Sequence, residues 1–143
     1  MRLFKGYLLT ICLALLLLLV SVTAPATEYF VQSQDEYRAI SSKLVAGDTV
    51  ILKNGVWTDF EIVLDGQGRA DAPITLTAET KGQVILSGQS NLRLAGQHLI
   101  VTGLVFKNGY TPSSAVIDFR KNSKELAFHS RVTEVVIDNY NNP

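Results

Sequence analysis

Between Ala72 and Lys107 five short apolar runs follow one another with almost no room for a helix. They are Pro73–Thr77, Gln83–Ser87, Asn91–Ala95, His98–Thr102 and Leu104–Lys107. All are rich in β-branched or leucine side chains, and Gly82, Gly88, Gly96 and Gly103 close or separate them, which reads as strands. The connections are so short that each strand bends straight into the next. A hairpin meander does that, and so does a coil that winds round and stacks on itself. Period separates the two. Thr49–Leu52, Ile74–Thr77 and Leu99–Thr102 begin 25 residues apart, and each is followed by a second run, Glu61–Leu64, Val84–Leu86 and Ala115–Phe119. Strands recurring at a fixed interval mark a solenoid, so an all-β parallel β-helix is the predicted fold, with a two-sheet sandwich as the alternative.

The chain has 143 residues and no net charge. Its start is read as a leader rather than as part of the fold. Arg2 and Lys5 precede an apolar core from Leu8 to Val20, and Ala24-Pro25-Ala26 supplies the small residues that a signal peptidase reads. A retained membrane anchor needs roughly 20 apolar residues, and this core is shorter. Residues 1–26 are therefore assigned as a signal peptide, and residues 27–143 as the exported part, periplasmic or secreted. Cys12, the only cysteine, falls inside the leader, so no disulfide is available to the exported part. Cleavage also removes two basic residues and no acidic one, leaving a slightly acidic domain. Nothing in that balance favours nucleic acid or a membrane surface as partner.

Tyr29–Val31 reads as a first short strand. Ser33-Gln34-Asp35-Glu36 has the form of a capping box, in which the serine hydroxyl takes the amide of Glu36 while the glutamate reaches back to the serine amide. Tyr37, Ile40 and Leu44 then share one helical face. A helix over about 34–44, ended by Ala46-Gly47, is predicted, and its place before the first coil makes it a cap for the open end of the stack. Asn54-Gly55 is a strong turn pair, with Trp57 read as packing over that corner rather than as a sugar platform. Asp65–Pro73 reads as a loop. Its glycines and aspartates lack the alternating ligands of a calcium loop. Asn108–Ser114 reads as a second polar loop, Arg120–Lys124 as a solvated basic one, and Arg131–Asp138 as a further strand. Nothing after Tyr140 resembles a closing cap, so the chain is expected to be the front piece of a longer protein.

Chemistry needs convergent groups. His98 and His129 have no metal-type spacing and read as structural or surface residues. Gly66 and Gly68 follow a strand but open no helix, which argues against a nucleotide loop. Asp59 and Glu61 are placed on one face of a strand, a weak condition for a carboxylate pair. Lys53, Arg93 and Lys107 lie in or beside strands, where they either line a groove for an anionic sugar or belong to a solvated face.

Beyond pattern, the wording of the sequence resembles the N-terminal coils of polysaccharide lyase family six, the alginate lyases and the related chondroitinase B. The resemblance lies in Ala46–Trp57, Ala72–Leu76, Gly82–Gly88 and Gly96–Gly109, with Arg131–Thr133 and Val136–Tyr140 similar to the next coil, and it covers nearly all of residues 28–142. It implies a right-handed parallel β-helix and β-elimination on a uronate, with calcium neutralising the carboxylate, a lysine base and an arginine beside the leaving oxygen. In that family these groups lie in later coils, so no catalytic or metal-binding residue is carried over to this chain, and its substrate-binding residues stay unknown. The expected partner is an anionic polysaccharide, alginate or a dermatan-type glycosaminoglycan. The expected function is the scaffold part of an exported lyase, inactive alone; a non-catalytic β-helix, carbohydrate-binding or adhesin-type, is the alternative.

Overall fold

The computed structural model describes residues 25–140. Most of the expected signal peptide, residues 1–24, lies outside them. The described chain opens with strand β1 (Glu28–Val31), followed by the helix α1 (Gln34–Ser41). Three turns of three strands come next. The first is β2 (Thr49–Leu52), β3 (Gly55–Thr58) and β4 (Glu61–Gln67), and the second is β5 (Ile74–Ala78), β6 (Val84–Gln89) and β7 (Asn91–Gln97). The third is β8 (Leu99–Thr102), β9 (Leu104–Tyr110) and a split pair, β10 (Ile117–Asp118) and β11 (Ala127–Phe128). β12 (Arg131–Thr133) and β13 (Val136–Tyr140) begin another turn.

Each strand pairs in parallel with its counterpart in the neighbouring turn. Three sheets result: β1-β2-β5-β8-β12 (sheet one), β3-β6-β9-β13 (sheet two), and β4 with β10 and β11 on β7 (sheet three). The chain is therefore a parallel β-solenoid, as its repeats predict.

The register explains the core. Because alternate side chains of a strand point inward, pairing without a slip stacks like on like along the axis. Val50, Leu76, Val101 and Val132 form one such column in sheet one. Trp57, Leu86, Phe106 and Ile137 form one in sheet two, and Ile62, Leu92 and Ile117 one in sheet three. The inner members are fully buried. Each such leucine or phenylalanine contributes about 1.5–3 kcal/mol, which lets packing alone hold a domain without disulfides. Ile137 is the exception. It is in register with Phe106, which is 0% exposed, yet is itself 51% exposed.

Corners are made by single residues with positive φ. Glu134 (52°) turns sheet one into sheet two; Asp59 (53°) turns sheet two into sheet three; Asn108 (56°) and Asn139 (49°) take the same conformation near the ends of β9 and β13; His98 (50°) and His129 (49°) turn sheet three back to sheet one.

Several expectations are corrected here. The second runs do not occupy one sheet: Glu61–Leu64 belongs to sheet three and pairs with β7, whereas Val84–Leu86 belongs to sheet two and pairs with β3. A turn has three strands, not two. Arg131–Asp138 is two strands around the Glu134 corner. Asp65–Gln67 and Asn108–Tyr110 continue β4 and β9 rather than opening loops. Of Ala115–Phe119 only Ile117–Asp118 forms strand, and the Ala115 carbonyl instead accepts from the hydroxyls of Thr111 and Ser113 at 2.9 and 3.0 Å.

α1 stops at Ser41, short of Leu44. The Lys43 amide already donates to Ile40, and the buried Asp48 carboxylate takes the Val45 amide (2.9 Å) that a continuing helix would give to Ser41. At the other end Ser33 Oγ accepts from the Glu36 amide as predicted, but Glu36 accepts from Gln32, one residue earlier than expected. The helix rests on the first turn through Tyr37, whose ring meets Phe60 edge-on and whose hydroxyl donates to the Val63 carbonyl at 2.8 Å. That burial pushes the Tyr37 phenol far up, so it stays a neutral donor.

Candidate functional site

A broad concave surface lies on the outer face of sheet three. Strand alternation sends Val63 and Asp65 outward from β4, and Arg93 and Ala95 outward from β7. At the far end of these strands Gly66 and Gly96 are paired, with Gly96 at φ +100°. A Cβ on Gly96 would collide with the Gly66 carbonyl, so the two strands approach there as only glycine permits.

Over this face folds the excursion between β10 and β11. It is a small hairpin: Ala127 donates to Phe119, Lys121 donates to Glu125 (both 2.9 Å), and Arg120 bridges Leu126 antiparallel. Asn122 shapes its tip by accepting from the amides of Lys124 and Glu125, the local side-chain bonding that asparagine brings to turns. The hairpin delivers Lys121 to the sheet, with Nζ 2.9 Å from Asp65 and 3.3 Å from Glu125.

Two clefts flank that ion pair. One, of about 590 Å³, runs between Ser41, Ser42 and Val45 at the end of α1 and Val63, Asp65 and Lys121. The other, of about 320 Å³, is lined by Gln67, Ala95, Gln97, Lys124 and Phe128 among others. Hydrogen bonds to Asp65 and Glu125 hold the Lys121 amine above its usual range. A hydrogen bond from Asn122, and then one from Lys121, hold Glu125 below its own. Lys121 is thus held as an ammonium whose charge is answered by Asp65 and Glu125. The sequence hides this cluster because Arg120–Lys124 has the composition of a solvated loop and its contact with Asp65 spans 56 residues.

The residues singled out in the sequence do not converge. Lys53 donates to Gln32 (3.0 Å) at the corner after sheet one, Arg93 meets Glu61 (3.3 Å) on sheet three, and Lys107 meets Asp138 (2.8 Å) on sheet two. They face three ways and line no common groove. Asp59 and Glu61 do not share a strand face, since Asp59 sits in a corner and accepts from the Gln89 amide (2.8 Å). Trp57 is buried, stacks on Phe60 and donates to the Lys53 carbonyl, as corner packing predicts. His98 and His129 occupy the same corner in consecutive turns, with rings stacked 5.0 Å apart.

Among the described residues no three His, Cys, Asp or Glu side chains stand together as a metal cage. Asp65, Asp71, Asp118, Glu125, Glu134 and Asp138 are each taken up by a lysine or arginine. This donor set does not fit calcium, which wants six to eight free oxygens. Also among the described residues, no helix is long and apolar enough to cross a membrane.

Comparison with known proteins sets this geometry in context. Residues 31–143 match the family model for chondroitinase B. The structure is similar to that of the PL6 family alginate lyase AlyGC, with TM-score 0.79 and 54% identity over 81% of this chain. It is similar to a mannuronic acid specific polysaccharide family 6 lyase from human gut microbiota, with TM-score 0.73 and 31% identity over 82% of this chain. A third similar structure is the PL6 family polysaccharide lyase Pedsa3628 from Pseudopedobacter saltans, with TM-score 0.67 and 29% identity over 76% of this chain. The chain spans only 16%, 27% and 24% of those three proteins. No curated protein matches it.

Proposed function

The chain belongs to the chondroitinase B family, and from that membership we propose that it is the N-terminal scaffold of an exported lyase that cleaves a uronate-containing polysaccharide, alginate, by β-elimination. The observation that carries this reading is the 54% identity to an alginate lyase over 81% of the chain. The scaffold role draws on the small share of that enzyme the chain spans, 16%. In this reading another coil stacks on β12 and β13, α1 closes the opposite end, and the winding is right-handed, the hand that crossovers between parallel strands adopt. Export follows from the leader over residues 1–26.

Elimination requires that the uronate carboxylate be neutralised, that a base take the proton on the neighbouring carbon, and that an acid serve the departing oxygen. Calcium supplies the neutralisation where the family's chemistry uses it. Among residues 25–140 no three carboxylate or imidazole side chains stand together to hold it, and Lys121 is tied to two carboxylates. What these coils contribute is a rigid column on which a catalytic groove is built.

The test is an ultraviolet assay for new unsaturated uronate ends, run on a protein extended beyond Pro143 and on this chain alone. Alginate is expected to be cleaved by the extended protein, more slowly after a chelator, and left intact by the chain. Cleavage of dermatan sulfate and not alginate would move the substrate. Cleavage by the chain alone would overturn the scaffold role. Binding without cleavage by the extended protein would replace the lyase with a carbohydrate-binding β-helix.

A further inference from the structure

A third cavity, of about 290 Å³, lies at the corner where sheet three turns into sheet one. Its construction follows from the register. Gln97 pairs with Phe128 and Ile100 with Arg131, so His98 and His129 fall one above the other between them. Both take positive φ and their rings lie within 12° of parallel. Arg131 starts β12 beside Ile100. Arg69 arrives from the turn below, on an excursion closed by mutual Arg69–Ala72 backbone hydrogen bonds of 3.0 Å. Arg69, His98, His129 and Arg131 line the cavity, with Pro73 and Ile100 as its apolar wall.

Most basic side chains elsewhere among the described residues are paired. Arg38, Lys81, Arg93, Lys107, Arg120 and Lys121 are each paired with a carboxylate. Arg131 is exposed and has neither an ion pair nor a side-chain hydrogen bond among the described residues, and the same holds for the ring nitrogens of both histidines. No carboxylate lines the cavity. Asp71 is bidentate to Arg69 at 3.0 and 3.2 Å, which holds that guanidinium in place, and it also interacts electrostatically with His98. A planar guanidinium with free donors, two imidazoles beside it and an apolar wall match a carboxylate carried on a sugar ring, the ring lying on Pro73 and Ile100.

We propose that this corner is an anion subsite that takes a uronate carboxylate of the polysaccharide, with Arg131 as its main ligand and His98 and His129 as flanking donors. The choice of a uronate rests on the lyase reading; the anion site itself rests on the geometry alone. A role in holding the polymer is distinct from the chemistry of elimination.

Titration of the intact chain with uronate oligosaccharides tests it, followed by calorimetry and by the ring signals of His98 and His129 in nuclear magnetic resonance. A neutral oligosaccharide of equal length is the control. Binding is expected to move both histidine signals, to weaken as salt is raised, and to drop about ten-fold in Arg131→Ala. His129→Asn keeps a residue that tolerates the left-handed corner while removing the imidazole, and is expected to weaken binding several-fold with an unchanged melting temperature. Unchanged affinity in both variants, equal response to the neutral sugar, or no binding by the wild-type chain would overturn the subsite. The lyase reading fails separately, by the absence of unsaturated ends from the extended protein, and Arg131→Ala there is expected to raise KM with little change in kcat.

Discussion

At Gly96 the backbone needs what no other residue supplies. Its φ is +100°, and the Gly66 carbonyl occupies the place where a side chain would begin. Gly55 also has positive φ, +136°, but nothing lies within 4 Å of its missing Cβ. The two glycines therefore separate crowding from backbone strain. Gly96→Ala is expected to cost on the order of 3 kcal/mol or more, and Gly55→Ala about 1 kcal/mol, by urea denaturation. Equal costs would show that strain alone governs both sites. The same residue-level chemistry limits what can be read in a sequence. Asn54-Gly55 is visible as a turn because both residue types are habitual there. His98 and Glu134 serve the same purpose at φ 50° and 52°, and neither residue type announces a turn. Glu134 is held at its corner by Thr102 (2.9 Å) and Lys81 (2.6 Å), partners 32 and 53 positions distant that no local pattern reveals.

Among elements, α1 owes its start to a short local code and its end to a distant one. Ser33 Oγ accepts from the Glu36 amide at 3.2 Å, so Ser33→Ala is expected to destabilise the domain by about 1 kcal/mol, measured by thermal melting. Ser33→Asp should preserve stability, since aspartate caps as well as serine. If alanine costs nothing, the Glu36 bond to Gln32 holds the terminus by itself. The start was legible for this reason, whereas the stop depends on Asp48, whose carboxylate collects the amides of Thr27 and Val45 from two segments. The strands divide in the same way. Those of sheet one recur 25 or 26 residues apart in the register of β2, β5 and β8, and that spacing was visible. Sheets two and three were merged into one series of second runs, because β3 is a four-residue strand beginning at a turn-like glycine and carrying a tryptophan that reads as corner packing. The Lys121 cluster was hidden for a related reason: its hairpin interrupts sheet three, and periodicity is lost where it leaves.

For the whole molecule, stacking makes stability a sum over neighbouring turns, so a residue's worth depends on how many turns enclose it. Leu86 lies between Trp57 and Phe106, whereas Ile137 has Phe106 on one side only among the described residues. Leu86→Ala is expected to cost about 2–5 kcal/mol and Ile137→Ala about 1 kcal/mol or less in this chain, by chemical denaturation. In a protein extended by a further coil, the Ile137 cost should rise into the range of Leu86. A large cost in this chain would mean that something else already covers the column. Fold and family were legible at this scale because the repeat is global, and the sites were not, because they depend on which corners carry excursions. One of these excursions has a wider meaning. The hairpin between β10 and β11 departs from and returns to the same partner strand, β7, so the ladder is resumed beneath it whatever it contains. Mutation can rewrite that segment in length and charge at small risk to folding, and it is there that a protein engineer would splice in a foreign peptide.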